Sequence, residues 1–175
     1  MTDAGRSRAL WLKRPLSRRY GWAFFDVVAV RWREGEGLRD RPVHWAFGWL
    51  PDGECEALGV WLDSEDGRAD PRRLLEDLRS RGVERIGYLA GPGTGAGIGQ
   101  VQDRMSKVEQ LEAEQVRAGL SRAIRRHGSF EIEAAVIDFM ADALQRAERR
   151  LDRERLLAKG QARLDPGVQM ASLGL

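Results

Sequence analysis

The sequence predicts a mixed α/β (α+β) fold: a sheet built in the order β-β-β-α-β, followed by a C-terminal helical pair. Three observations carry this. Three runs rich in aromatic and β-branched residues fill positions 21–62, one helical pattern separates them from a fourth run at 83–90, and beyond a glycine-rich break the apolar residues recur at helical spacing. At 175 residues the chain can bury a core without staples. Cys55 is its single cysteine, and His44 and His127 are its histidines, which excludes a disulfide framework and a Cys-rich metal knuckle. No apolar run approaches the roughly 18 residues of a membrane span and no secretory signal opens the chain, so a cytoplasmic protein without a membrane partner is expected.

Gly21 to Trp32 (GWAFFDVVAVRW) has apolar residues on both faces, as a central strand covered on both sides requires. Pro42 to Leu50 and Cys55 to Leu62 flank the turn sequence Pro51-Asp52-Gly53, which joins antiparallel neighbours; Glu34 to Arg41, with two glycines and alternating charge, is the expected loop between the first two strands. Asp70-Pro71 starts a helix by capping and by preset φ, Leu74, Leu75 and Leu78 form its apolar stripe, and Gly82 ends it in the left-handed conformation. Val83 to Ala90 is then a fourth strand, parallel to an earlier one because a helix connects them.

The run from Gly91 to Gly99 is either a phosphate-cradling loop or a linker. Its spacing matches neither G-x-G-x-x-G nor a Walker sequence, which favours the linker. Val101 to His127 reads as one amphipathic helix, and Ser129 as the N-cap of a second whose stripe runs from Ile132 to Leu151. The expected organisation is a basic N-terminal arm (1–19), the β-β-β-α-β core (20–93), a glycine-rich linker (94–99), a helical hairpin (100–159) and a tail (160–175).

Charge is unevenly distributed: residues 1–20 carry a net +5, residues 21–99 a net −4, and residues 100–175 a net +1. Arg6, Arg8, Lys13, Arg14, Arg18 and Arg19 form either an arm for nucleic-acid phosphates, with an affinity that falls steeply with salt, or a solvated tail. Arg146, Arg149, Arg150, Arg153 and Arg155 alternate with Glu148, Asp152 and Glu154, so a solvated, salt-bridged face is expected there rather than a nucleic-acid patch.

Asp26 asks for an explanation, because a carboxylate in an apolar strand is costly to bury unless it is paired, hydrogen-bonded or bound to a metal. Alternation places it on the side of Trp22, Phe24, Val28 and Val30. The predicted strand order is that of the opening of a ribonuclease H-like domain. In such folds an acid in the first strand, a second at the end of the fourth and a third on a later helix hold two Mg²⁺ ions for phosphoryl transfer.

From Tyr20 to Gly93 the sequence resembles the catalytic domain of mutator-type insertion-sequence transposases, which is ribonuclease H-like with an Asp-Asp-Glu triad. The resemblance rests on Phe24-Phe25-Asp26, Ala46-Phe47-Gly48, Asp52-Gly53, Leu58-Gly59-Val60-Trp61-Leu62, Ser64-Glu65, Leu74-Leu75, Glu76-Asp77-Leu78 and Arg81-Gly82-Val83. It implies that Asp26 is the first catalytic acid and a metal ligand. The chain also departs from the pattern. Pro92-Gly93 stands where the family has its second acid in an Asp-Gly pair, Asp70-Pro71 replaces an aromatic pair, the family's Cys/His stretch is missing, and no third acid aligns. Proline offers no side-chain oxygen to a metal.

The favoured reading is therefore a transposase-derived protein with an incomplete catalytic site, no cofactor, and DNA as a partner held through its backbone by the basic arm. One alternative is a working nuclease or transposase that uses Mg²⁺ or Mn²⁺ with a relocated carboxylate from Asp63, Glu65, Asp66 or Asp103. The other makes residues 100–159 a module for homo-oligomerisation or partner docking.

Overall fold

The apolar run around Asp26 becomes the strand about which the sheet is organised. A computed structural model describes residues 3–62, 71–92 and 105–164. Its elements are α1 (Asp3–Leu12), β1 (Arg19–Glu34), β2 (Gly37–Trp49), β3 (Cys55–Leu62), α2 (Pro71–Ser80), β4 (Arg85–Ala90), α3 (Lys107–His127), β5 (Ser129–Phe130) and α4 (Glu133–Leu164). The sheet runs β3-β2-β1-β4, with β1–β2 and β2–β3 antiparallel and β4 parallel to β1. The predicted mixed sheet and C-terminal helices are both present. No described helix is long and apolar enough to cross a membrane.

The loop expected from Glu34 to Arg41 is instead a continuation of the hairpin: β1 and β2 stay paired out to Glu34 opposite Gly37. Charge complementarity across the strands supports these exposed residues. Arg31 lies opposite Asp40, Arg39 approaches Glu34 at 3.8 Å, and the Arg41 guanidinium sits 4.5 Å over the Trp32 ring.

Helices cover both faces of the sheet. On one, Tyr20, Ala23, Phe25, Ala46 and Leu58 pack with Leu16, Leu78 and Val83, so α2 and its flanking turns form that layer. On the other, Trp22, Phe24, Trp45, Phe47 and Trp49 share one core with Val116, Leu120 and Ile124 of α3 and Val136, Met140, Leu144 and Leu151 of α4. The apolar stripe of the helical pair thus lies against the sheet.

Three local readings need correction. Residues 3–12, read as part of an arm, form a helix whose Trp11 and Leu12 pack on the α3/α4 side of the core. Ser129 does not cap α4; with Phe130 it forms β5, parallel to Arg31 and Trp32 of β1. Burial of Phe130, stacked on His127 at 4.1 Å, holds it there. The tail expected from residue 160 begins instead as α4, which continues to Leu164. α3 starts at a capping box between Ser106 and Glu109 and stops, as expected, at His127-Gly128, with Gly128 at φ 91°.

Candidate active site

Asp26 is 3% exposed and sits opposite Trp45 in the β1–β2 ladder. Along the other edge of β1, β4 pairs from Arg19 to Phe24 and β5 pairs at Arg31 and Trp32, so Asp26 falls between them. Its Oδ1 accepts the Val27 N–H at 2.8 Å. Its Oδ2 lies 3.1 Å from Nε of Arg117 on α3, which agrees with the face that alternation predicted. Burial pushes the Asp26 carboxyl above its ordinary pKa, opposed by the Val27 hydrogen bond and the Arg117 charge and reinforced by Glu114.

Arg117 faces two acids, since its Nη1 lies 3.8 Å from Glu114 one turn earlier. Glu114 itself is mostly exposed, with 66% of its side chain accessible. It lines a cavity of about 100 Å³ with Phe24, Ala90, Gly91 and Met105. The end of β4 closes this place. Phe24 pairs with Ala90, the last residue of β4, Gly91 follows against the Phe25 carbonyl, and Pro92 comes next in sequence. The approach at Gly91 is close: a Cβ there would stand 2.1 Å from the Phe25 carbonyl oxygen, and its φ is +103°, so only glycine fits.

At this place the described residues provide two carboxylates of unequal exposure and a guanidinium against both. Among the described residues no three His, Cys, Asp or Glu side chains group as metal ligands. Asp63, Glu65, Asp66 and Asp103 lie outside the described residues. The model of the family "Transposase, Mutator family" matches residues 6–95, a little over half of the chain. The chain belongs to that transposase family. It is 36% identical over 76 residues to a "Probable transposase for insertion sequence element ISRM3-like" of Sinorhizobium fredii. It is 34% identical over 76 residues to the "Transposase for insertion sequence element ISRM3" of Rhizobium meliloti. Each match covers 43% of this chain and 19% of the relative. A Corynebacterium diphtheriae "Probable transposase for insertion sequence element" is 29% identical over 85 residues, 48% of this chain and 25% of its own. Asp26 and Pro92 fall inside the matched stretch, and α3, with Glu114 and Arg117, falls outside it.

Much of the transposase-like sequence pattern serves the scaffold. The sheet register shifts between Ala46 and Phe47, where Leu58 stands out of the β2–β3 ladder. The Leu58 carbonyl is taken by buried Arg81, whose Nη1 donates to it at 2.6 Å while Nε donates to the Arg14 carbonyl at 3.1 Å. Asp77 completes the joint, accepting from Arg81 Nη1 at 3.2 Å, Lys13 Nζ at 3.1 Å and Trp61 Nε1 at 3.3 Å. Trp61, Asp77 and Arg81 thus tie β3, α2 and the chain before β1 together.

The residues predicted to meet nucleic acid are mostly engaged by acids of the protein. Arg8 reaches Asp142 at 3.8 Å, Lys13 reaches Asp77, and Arg18 reaches Glu84 at 3.6 Å. Arg14 turns inward, donating to the carbonyls of Ala57 at 2.8 Å and Trp11 at 3.1 Å and pairing with Glu148 at 3.5 Å. Arg19 is exposed at the start of β1 and forms no ion pair among the described residues; the side chain of Arg6 lies outside them. Sequence reasoning did not single out Glu114 or Arg117. Their three-residue spacing on a helix was readable, but their meeting with Asp26 depends on how α3 packs on the sheet.

Proposed function

We propose that this chain is a transposase-derived protein that keeps a ribonuclease H-like sheet, binds DNA and performs no strand transfer. The β3-β2-β1-β4 order with β4 parallel to β1 supports the fold reading. One observation carries the loss of catalysis: Arg117 holds the Asp26 carboxylate oxygen left over after the Val27 hydrogen bond; Pro92, two residues beyond β4, stands where the family pattern has its second acid. A pair of Mg²⁺ or Mn²⁺ ions requires several carboxylate oxygens converging from different elements. The described residues here offer one buried carboxylate with both oxygens engaged and one exposed carboxylate on α3. They do not fit such a pair, and the Arg117 guanidinium adds positive charge where a cation would have to sit.

Labelled duplex DNA carrying insertion-sequence ends, incubated with the protein and Mg²⁺ or Mn²⁺, tests the proposal. Intact DNA is expected for the native protein and for Asp26→Asn alike. Metal-dependent cleavage that Asp26→Asn abolishes would overturn it and favour a carboxylate recruited from Asp63, Glu65, Asp66 or Asp103.

A further inference from the structure

We propose that the groove between α3 and α4 is a binding site for the phosphodiester backbone of duplex DNA; the choice of DNA rests on the reading of this chain as a DNA-binding transposase derivative. The groove has a volume of about 530 Å³. Small residues make room for it: Gly119 and Ala123 from α3 face Ala143 and Ala147 from α4. Arg146, Arg149, Arg150 and Arg153, all from α4, line it as well.

The positions of the charges on α4 explain why these arginines are available. Glu148 and Asp152 neighbour them in sequence, but the helix turns about 100° per residue and carries the acids to another face. There Glu148 accepts the Ala57 N–H of β3 at 2.9 Å, and Asp152 shares a second cavity with Arg155 and Glu54. Arg155 belongs to that face too, where its Nη2 reaches Glu112 at 2.5 Å. Facing the groove, Arg149 and Arg153 form no ion pair among the described residues. Arg146 pairs with Asp142. Arg150 Nε is shielded from solvent and has no hydrogen-bond acceptor, Glu154 standing 3.8 Å away.

An open groove lined by four guanidiniums, two without a carboxylate and a third with a buried donor unsatisfied, is complementary to a row of anionic oxygens. Guanidinium forks match phosphate oxygens bidentately. From Arg146 to Arg153 the helix advances about 10 Å, the rise of about three nucleotides of one strand. The contacts would be with the backbone, so the site orients DNA without reading its sequence.

The test measures binding of a fluorescent duplex by anisotropy across a salt series, using the full chain. Arg149→Gln/Arg153→Gln is expected to lower the slope of log K against log salt by about two, since each phosphate contact contributes about 0.9. It should weaken binding at low salt by about tenfold or more. Gly119→Leu, at a position where a Cβ meets nothing within 4 Å, should fill the groove and weaken binding without unfolding the protein. Lys13→Gln/Arg18→Gln should leave the slope within about half a unit of the native value. If the native chain binds DNA and both groove variants match it in affinity and slope, the groove assignment is overturned while the DNA-binding reading stands. Absence of binding by the native chain at low salt would overturn both. Equal affinity for polyglutamate of the same charge would overturn the phosphate assignment in favour of an acidic protein partner.

Discussion

In the N-terminal stretch Arg8, Lys13, Arg14 and Arg18 each meet a carboxylate from another element, whereas on the α3-facing side of α4 Arg149 and Arg153 meet none. Counting along the chain points the other way. The first twenty residues have an excess of five positive charges, while the arginines of α4 alternate with acids in apparent neutrality. What separates the regions is direction. The N-terminal cations reach toward acids on α2, α4, β3 and the turn before β4, and half-buried Arg14 ties the chain before β1 to β3 and α4. On α4 the rotation of the helix sends Glu148 toward β3 and leaves Arg149 and Arg153 beside α3.

The comparison is broken most directly through stability. Arg14→Met should cost about 2–3 kcal/mol in urea unfolding, because it removes half-buried charge-assisted hydrogen bonds to two carbonyls and leaves Glu148 short of a partner. Arg149→Gln should stay within about 0.5 kcal/mol of the native protein. Comparable losses for the two would show that the groove arginines are structural as well.

A smaller effect concerns the groove wall. Gly119→Ala replaces an interior helical glycine where there is open space, and should stabilise the fold by about 0.5–1 kcal/mol. A loss of stability would mean that the added methyl group presses on α4.

The gentlest test sharpens the contrast with Asp26, whose cation is the inward-facing Arg117. Because burial raises the folded-state pKa of Asp26 above its ordinary value, the folded state holds the proton more tightly. Between the ordinary and the raised pKa, stability therefore falls as pH rises. Asp26→Asn lacks this fall, so its thermal midpoint relative to the native protein should climb across that acidic window and level off above it. A relative midpoint that drops with rising pH would show that Arg117 overcompensates the burial.

The sheet was the most legible part of the molecule. Aromatic and β-branched runs marked four of its strands, the Pro51-Asp52-Gly53 turn marked a hairpin, and Gly82 marked the end of α2, because each signal is local. The outer half of the β1–β2 hairpin escaped because its support comes from cross-strand pairs such as Arg31 with Asp40, which exist only once the register is set. β5 escaped for a similar reason: two residues pair only because a free edge of β1 and the ring of His127 are nearby. At the candidate site, Asp26 stood out by its apolar surroundings and Pro92 by its place in the family pattern. Arg117 and Glu114 looked like any exposed pair on an amphipathic helix until α3 was seen to lie across β1.

The central claim is that the place around Asp26 no longer forms a metal centre. Manganese titration by calorimetry, on the native chain, Asp26→Asn and Pro92→Asp/Arg117→Gln, tests it most directly. The account predicts the same absence of saturable binding for the native chain and Asp26→Asn, with a site appearing only when the proline and the guanidinium are both replaced. Two manganese ions bound per native chain and lost in Asp26→Asn would contradict it.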